Sequence, residues 1–244
     1  ISEERLNRIK EWGGVPRLSI REVLRVSGVR PEEIDSVVVP SYINPVTSME
    51  SGRKSIPRRV FGRSSRVIPR GFLRSDRWVS PSVRLLKRFR KKGELLSVLK
   101  DLGIRQDVTF CEHHHAHAAS AYYPAWFRKK KALVITADGS GDAVAASINI
   151  AEDGEIRRVL SISNYNSLGE LYSRVTEFLG MKPLSHEYKV MGLAPYSKEQ
   201  HIQKAYQEFR KMIRISPDNP LMFENISGVW KWQYLKRLQS VFEK

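Results

Sequence analysis

The stretch KALVITADGSGDAVAASINIAEDGEIRRVLSIS, residues 131–163, leaves the chain few folding options. β-Branched and apolar residues recur through Ala132–Thr136, Ala143–Ile150 and Ile156–Ser161, and the polar turns DGSGD and EDGE separate the three runs. Such runs read as strands, and an Asp-Gly pair between two of them is a strong hairpin signal. Three strands in immediate succession form an antiparallel meander, which must bury at least one face.

The flanking sequence supplies elements to cover it. SEERLNRIKEWG predicts a helix capped by Ser2, with Leu6, Ile9 and Trp12 on one side. RLSIREVLRVSGV predicts a second helix, and IDSVVVP a short buried strand closed by proline. A helix is expected through SPSVRLLKRFRKKGELLSVLKDLG, with Gly93 as a point of interruption, followed by a strand at DVTFCEH. Beyond the meander, SLGELYSRVTEFLG reads as a helix with Leu168, Leu171, Tyr172, Val175 and Leu179 along one side, and HEYKVMGLAPYS as a helix stopped near Pro195. The fold class is therefore α/β. A chain of 244 residues can bury a proper core as one large domain or two ordinary ones. No apolar run approaches the ~20 residues that span a bilayer. The lone Cys111 excludes an internal disulfide framework and fits a reducing, cytoplasmic setting. A first residue of Ile1 rather than Met points to a piece of a longer protein.

Charge is concentrated. The net charge is +16, and residues 53–92 alone hold 15 Lys and Arg against one acid, Asp76. Two readings stand side by side: an electrostatic surface for nucleic acid or an acidic partner, or a solvated insertion with no dedicated ligand. No nucleic-acid motif frames the segment, and Phe61, Phe72 and Trp78 are irregularly spaced.

Chemistry concentrates in CEHHHAHAASAYY, residues 111–123, which carries four of the six histidines. In a helix, His113 and His117 lie one turn apart on the same side, ~5–6 Å between Cβ atoms. That spacing lets two imidazoles share a metal ion; equally, it is a common chance pattern at a polar helix start. His114 and His115 point elsewhere around the helix. In TADGSGD, Thr136–Asp142, glycines would let backbone N–H groups approach phosphate oxygens, although the same letters also make an ordinary tight turn.

Taken in order, EHHHAHAASAYY, VITADGSGD, SLGELYSRVTEFLG and HEYKVMGLAPYS resemble the carbamoyltransferase family of nodulation-factor and antibiotic-tailoring enzymes, and the opening SEERLNRIKEWGGVP is similar to a segment near that family's N-terminus. The likeness covers most of the chain outside the basic segment and the C-terminal tail. Hydrogenase-maturation and tRNA-modifying carbamoyltransferases share the His-x-x-x-His element and are the nearest alternative; a binding scaffold using the basic segment is another.

The resemblance implies an actin/sugar-kinase-like fold of two α/β halves. Residues 1–130 would be the first, without its first strands and carrying the basic insertion 53–92, and 131–244 the start of the second, truncated at its C-terminus. It implies metal-dependent transfer of a carbamoyl group from carbamoyl-adenylate to a hydroxyl of a small acceptor. The adenylate would be made from ATP and carbamoyl phosphate in a domain this chain lacks. By position, His113 and His117 match metal ligands, with Fe²⁺ foremost and Zn²⁺ or Mn²⁺ as alternatives. Asp138, Gly139, Ser140, Gly141 and Gly169 match the phosphate-facing side, and Glu187 and Lys189 the nucleotide or acceptor side. Next to the metal, His114 would accept the acceptor's hydroxyl proton. The third, carboxylate ligand is expected beyond Lys244, so a chain ending there would be weakly active or inactive. His186 stands where the family has a small residue before Glu187.

Overall fold

The computed structural model describes residues 1–10, 12–42, 92–128, 130–231 and 233–243. The basic segment, apart from the backbone of Lys92, and the first part of the helix expected around it lie outside these residues.

Two short helices open the chain, α1 (Glu3–Asn7) and α2 (Arg17–Ser27), followed by strand β1 (Val37–Val39). The first helix is shorter than expected. Ser2 makes no side-chain cap, and Arg8 turns left-handed at φ 62°, which leaves Ile9 and Trp12 beyond the helix. What the first helix supplies instead is Glu3, whose buried carboxylate accepts the Leu18 and Ser19 N–H groups in the first turn of α2 (3.1 and 2.7 Å). Helix α3 (Lys92–Asp101) contains Gly93 without a break. Strand β2 (Val108–Phe110) then pairs in parallel with β1, Val37 opposite Val108 and Val39 opposite Phe110. Val15, Leu95, Leu99 and Ile104 form the core beneath this pair, with Ile20 and Leu24 of α2 packed against it.

Helix α4 (His113–Tyr122) follows β2 and lies on the expected meander: β3 (Ala132–Gly141), β4 (Val144–Glu152) and β5 (Glu155–Ser163), in antiparallel order β3-β4-β5. Small residues bring the helix down on the sheet. Ala118 and Tyr122, both without exposed surface, pack against Val134 and Ala151. One expectation is corrected here. DGSG is not a loop after Thr136, because β3 runs on to Gly141 and only Asp142 and Ala143 form the turn. Both take positive φ, 51° and 69°, the hand that a two-residue hairpin requires. The ladder is irregular on the way: from Ala137 to Gly141, β3 advances four residues while β4 moves only from Ala146 to Val144. Such a bulge re-aims side chains, and Asp138 lies in it.

After the sheet come α5 (Leu168–Phe178), α6 (Glu187–Leu193), α7 (Glu199–Arg210), the hairpin β6 (Ile213–Ile215) and β7 (Phe223–Asn225), and α8 (Gln233–Phe242). Leu171 of α5, Met212, Tyr234 and Leu238 make a separate core. The described residues are thus α/β, with one three-stranded meander and two two-stranded sheets. Among the described residues no helix is long and apolar enough to cross a membrane.

Helix α5 meets β3 through glycine. A Cβ on Gly169 would sit 2.8 Å from Gly139 Cα and 3.0 Å from Gly139 N, backbone atoms that cannot swing aside. Gly169→Ala is expected to lower stability by about 1–3 kcal/mol, the usual effect of overpacking, with the loss measured by urea denaturation.

Candidate functional site

The site forms where β1, β2 and the β3–β4 turn end together. Glu112 caps α4 by accepting the His115 N–H at 2.8 Å. It also takes a charge-assisted bond from Arg158 Nη2 of β5, at 2.5 Å. Burial alone would raise the Glu112 carboxyl; the Arg158 bond and charge and the helix N–H groups outweigh it and hold it below its ordinary range. That pair orients the first turn of α4 over the sheet.

From this turn His113 and His117 project on one side, as their spacing predicts. His113 Nε2 lies 3.0 Å from His117 Nε2 and 2.9 Å from Asp138 Oδ2, while His117 Nε2 is 3.8 Å from the same oxygen. These three residues are the one group among the described residues whose His, Cys and acidic side chains converge closely enough to hold a metal ion. The side chains remain partly open, 26% exposed for His113, 52% for His117 and 41% for Asp138. Asp138, expected on the phosphate-facing side, is brought to the two imidazoles by the bulge in β3.

The protonation pattern sharpens the cluster. His113 Nδ1 faces the Pro40 carbonyl at 3.2 Å. A carbonyl only accepts, so Nδ1 carries the hydrogen. In the neutral ring Nε2 then presents a lone pair toward a carboxylate oxygen and a second imidazole nitrogen. Only a proton or a cation satisfies such a convergence. Burial pushes the Asp138 carboxyl up; with the imidazoles protonated, the bonds from His113 and the Gly139 N–H and the two ring charges hold it below the ordinary carboxylate range.

His114 does not belong to this face, and its expected role as proton acceptor is corrected. It has no exposed surface. Its Nε2 donates to the Val144 carbonyl at 3.0 Å, and its Nδ1 meets Thr136 Oγ1 at 2.7 Å, so neither nitrogen is left for an acceptor hydroxyl. Desolvation lowers its pKa and favours the neutral ring. Thr136 continues to Ser147 Oγ (2.7 Å), Ser147 to Asn149 Nδ2 (2.9 Å), and Asn149 Oδ1 to Arg158 Nε (3.4 Å). A buried polar chain thus runs beneath α4 from His114 to the Arg158–Glu112 pair.

The remaining expected residues divide. Gly139 has open space where a Cβ would be, but its N–H already donates to Asp138 Oδ1 at 2.6 Å and its carbonyl accepts from Ser167 Oγ at 2.6 Å. Ser140 Oγ accepts from Asn164 Nδ2 at 3.3 Å. A Cβ on Gly141 would collide with the His113 ring, 1.9 Å from Cδ2, so this glycine makes room for an imidazole. Glu187 serves the α5–α6 junction, accepting from Ser173 Oγ at 2.9 Å and the Leu184 N–H at 2.7 Å. Lys189 is exposed, its ammonium 6.0 Å over the Tyr188 ring. His186, at the N-cap of α6, accepts the Lys182 N–H through Nδ1 at 3.1 Å. Sequence reasoning missed Pro40, Glu112, Asp142 and Arg158. Of these only Asp142 carried a signal, as the second acid of DGSGD.

The family model described as carbamoyltransferase N-terminus matches residues 1–231. An uncharacterized protein of Synechocystis sp. is 32% identical over 207 residues, covering 83% of this chain and 31% of that protein. Nodulation protein NolNO of Sinorhizobium fredii is 27% identical over 222 residues, 87% of this chain and 28% of its own length. Nodulation protein NolO of Bradyrhizobium diazoefficiens is 33% identical over 101 residues, 41% of this chain and 18% of its own. The chain spans about a third or less of the relatives it matches.

Because His114 is an anchor of the sheet, His114→Ala is expected to destabilise the fold by about 2–4 kcal/mol, combining a cavity with an unpaired Val144 carbonyl. Chemical denaturation measures this. Retention of wild-type stability would show that the buried ring contributes nothing.

Proposed function

The chain belongs to the carbamoyltransferase N-terminus family, and on that premise we propose that it carries the metal centre of a carbamoyl transfer. The reaction would pass a carbamoyl group from carbamoyl-adenylate to a hydroxyl of a small acceptor. One observation carries the proposal: His113 Nε2, His117 Nε2 and Asp138 Oδ2 converge, with the His113 tautomer set by Pro40.

The donor set fits a divalent transition metal. Two imidazoles and one carboxylate are a common mixed set for Fe²⁺, Zn²⁺ or Mn²⁺. Bonds of ~2.0–2.2 Å to such ions place neighbouring ligand atoms roughly 3–3.5 Å apart, near the observed 2.9–3.8 Å. When bound, the ion supplies a Lewis acid for the carbamoyl carbonyl or the departing phosphate and open positions for substrate.

The protein's own residues do the holding. Glu112 and Arg158 fix the α4 start, so His113 and His117 stay in register with β3. Asp138 is presented by the bulge, and Gly139 N–H on its second oxygen leaves Oδ2 for the shared point. The partial exposure of all three side chains leaves one side for a carbamoyl donor and an acceptor hydroxyl to meet. In the transfer the C–O bond to the adenylate phosphate breaks with its electron pair leaving on AMP, a C–O bond to the acceptor forms, and the hydroxyl proton passes to the departing phosphate or to water. Gly139, with open space beside it, is the position of the DGSGD stretch at which an adenylate phosphate has room. We read the meander with α4 and α5 as part of an actin/sugar-kinase-like half. The similarity to the nodulation proteins supports an O-carbamoyl acceptor over the hydrogenase-maturation and tRNA-modifying alternatives.

Purified protein is expected to bind one equivalent of Fe²⁺, Zn²⁺ or the probe ion Co²⁺. His113→Ala, His117→Ala and Asp138→Ala should each weaken binding by roughly 100-fold or more, at or beyond the effect of losing an outer partner of a ligand. Titration followed by elemental analysis measures this. Binding unchanged in all three variants, or none in the wild type, would remove the metal centre and with it the proposal.

A further inference from the structure

Asp142 lies outside the cluster of His113, His117 and Asp138, yet its carboxylate joins the segments that meet there. The side chain is buried, with the residue 4% exposed. Oδ1 accepts from Ser41 Oγ at 2.9 Å, and Oδ2 accepts from the Tyr42 N–H at 2.9 Å and the His113 N–H at 2.9 Å. Ser41 and Tyr42 follow β1, His113 opens α4, and Asp142 sits in the β3–β4 turn. The His113 N–H belongs to the first residue of α4, where no intrahelical acceptor exists, and a carboxylate at that end is favoured by the helix dipole. Asp142 accepts all this at φ 51°, a strained backbone for a residue with a Cβ, kept where the surroundings over-determine it.

The consequence lies in the His113 ring. Its backbone is tied to Asp142, and its Nδ1–H is tied to Pro40, the residue before Ser41, which Asp142 also holds. Both anchors of the imidazole hang on one carboxylate. We infer that Asp142 is a positioning residue, setting His113 against Pro40 so that Nδ1 carries the hydrogen and Nε2 faces Asp138 and His117. This rests on the metal-centre reading for its purpose, but not for its geometry. The role is one of hydrogen-bond acceptance rather than charge. An amide at 142 can give its oxygen to the two N–H groups and its NH₂ to the Ser41 hydroxyl.

The test uses the whole chain. Asp142→Gly keeps the left-handed backbone and removes only the carboxylate; Asp142→Asn preserves the acceptor pattern. In metal-free protein, ¹⁵N NMR of the imidazoles should show His113 protonated at Nδ1 in wild type and in Asp142→Asn, and a mixture of tautomers in Asp142→Gly. Co²⁺ should bind Asp142→Gly about 10–100-fold more weakly, as loss of an outer partner does, with an altered visible spectrum. For Asp142→Asn the change should stay within about threefold, well short of that range. A merely structural role would lower the melting temperature and leave the tautomer and affinity of the folded protein unchanged. Wild-type tautomer and affinity in Asp142→Gly overturn the inference. If Asp142→Gly does not fold, Asp142→Glu, which displaces the carboxylate by one methylene, carries the same expectation and the same overturning result. If the wild type binds no Co²⁺ while the tautomer shifts in the variant, the positioning role stands and the metal centre falls.

Discussion

Three hydrogen bonds to the Asp142 carboxylate bring the parts of the site to one place. The Ser41 hydroxyl and the Tyr42 N–H lie just beyond the end of β1, the third N–H opens α4, and the carboxylate sits in the first turn of the meander. The donors at Ser41 and Tyr42, the His113 N–H and the Asp142 carboxylate come from three separate parts of the chain. Buried carboxylate without partners is expensive, so burial itself forces the three donors into place. The arrangement also explains why β3 must run on past Thr136. A strand ending there would leave the turn several residues short of α4, and neither acid of DGSGD would reach the histidines.

Beneath the site lies a second polar system, and it does a different job. His114, Thr136, Ser147, Asn149, Arg158 and Glu112 connect the underside of α4 to all three strands of the meander. A helix lying on a sheet through alanines alone could slide. Directional bonds at both ends of its first turn remove that freedom, since an unsatisfied buried group costs more than a made bond returns. The four adjacent histidines therefore divide by face: His113 and His117 toward the open cluster, His114 into the sheet, His115 to solvent. Helical geometry makes that division unavoidable, because neighbours along the chain are about 100° apart.

How much of this was legible in the sequence follows from which interactions are local. The meander, the helix over the histidine run and the i,i+4 pairing of His113 with His117 depend on periodicity over a few residues, and all three are present. Where the reading went wrong, a long-range contact decided the outcome. Ser2 is an orthodox cap by type, yet Glu3 is engaged fifteen and sixteen residues onward at the start of α2. His114 has the same side chain as its neighbours, and only the sheet beneath it distinguishes a buried anchor from a base. Asp138 is set by the family resemblance on the phosphate-facing side together with the glycines of DGSGD. Its actual neighbours come from a helix some twenty residues earlier, brought over by a bulge that no local pattern announces.

The glycines of DGSGD and of α5 illustrate how one composition supports two readings. A glycine-rich stretch between strands suggests a cradle for phosphate, where backbone N–H groups approach a ligand unobstructed. Here Gly141 gives its missing Cβ to the His113 ring, and Gly169 gives its own to the backbone of Gly139. Two of the three are thus consumed by packing that places the histidine cluster and closes α5 onto β3. Gly139 alone keeps open space where a side chain would stand, and its N–H is already turned to Asp138. The stretch therefore acts first as scaffolding for the cluster of His113, His117 and Asp138. The open length of backbone in this stretch lies at Gly139, immediately beside the Asp138 carboxylate of the cluster.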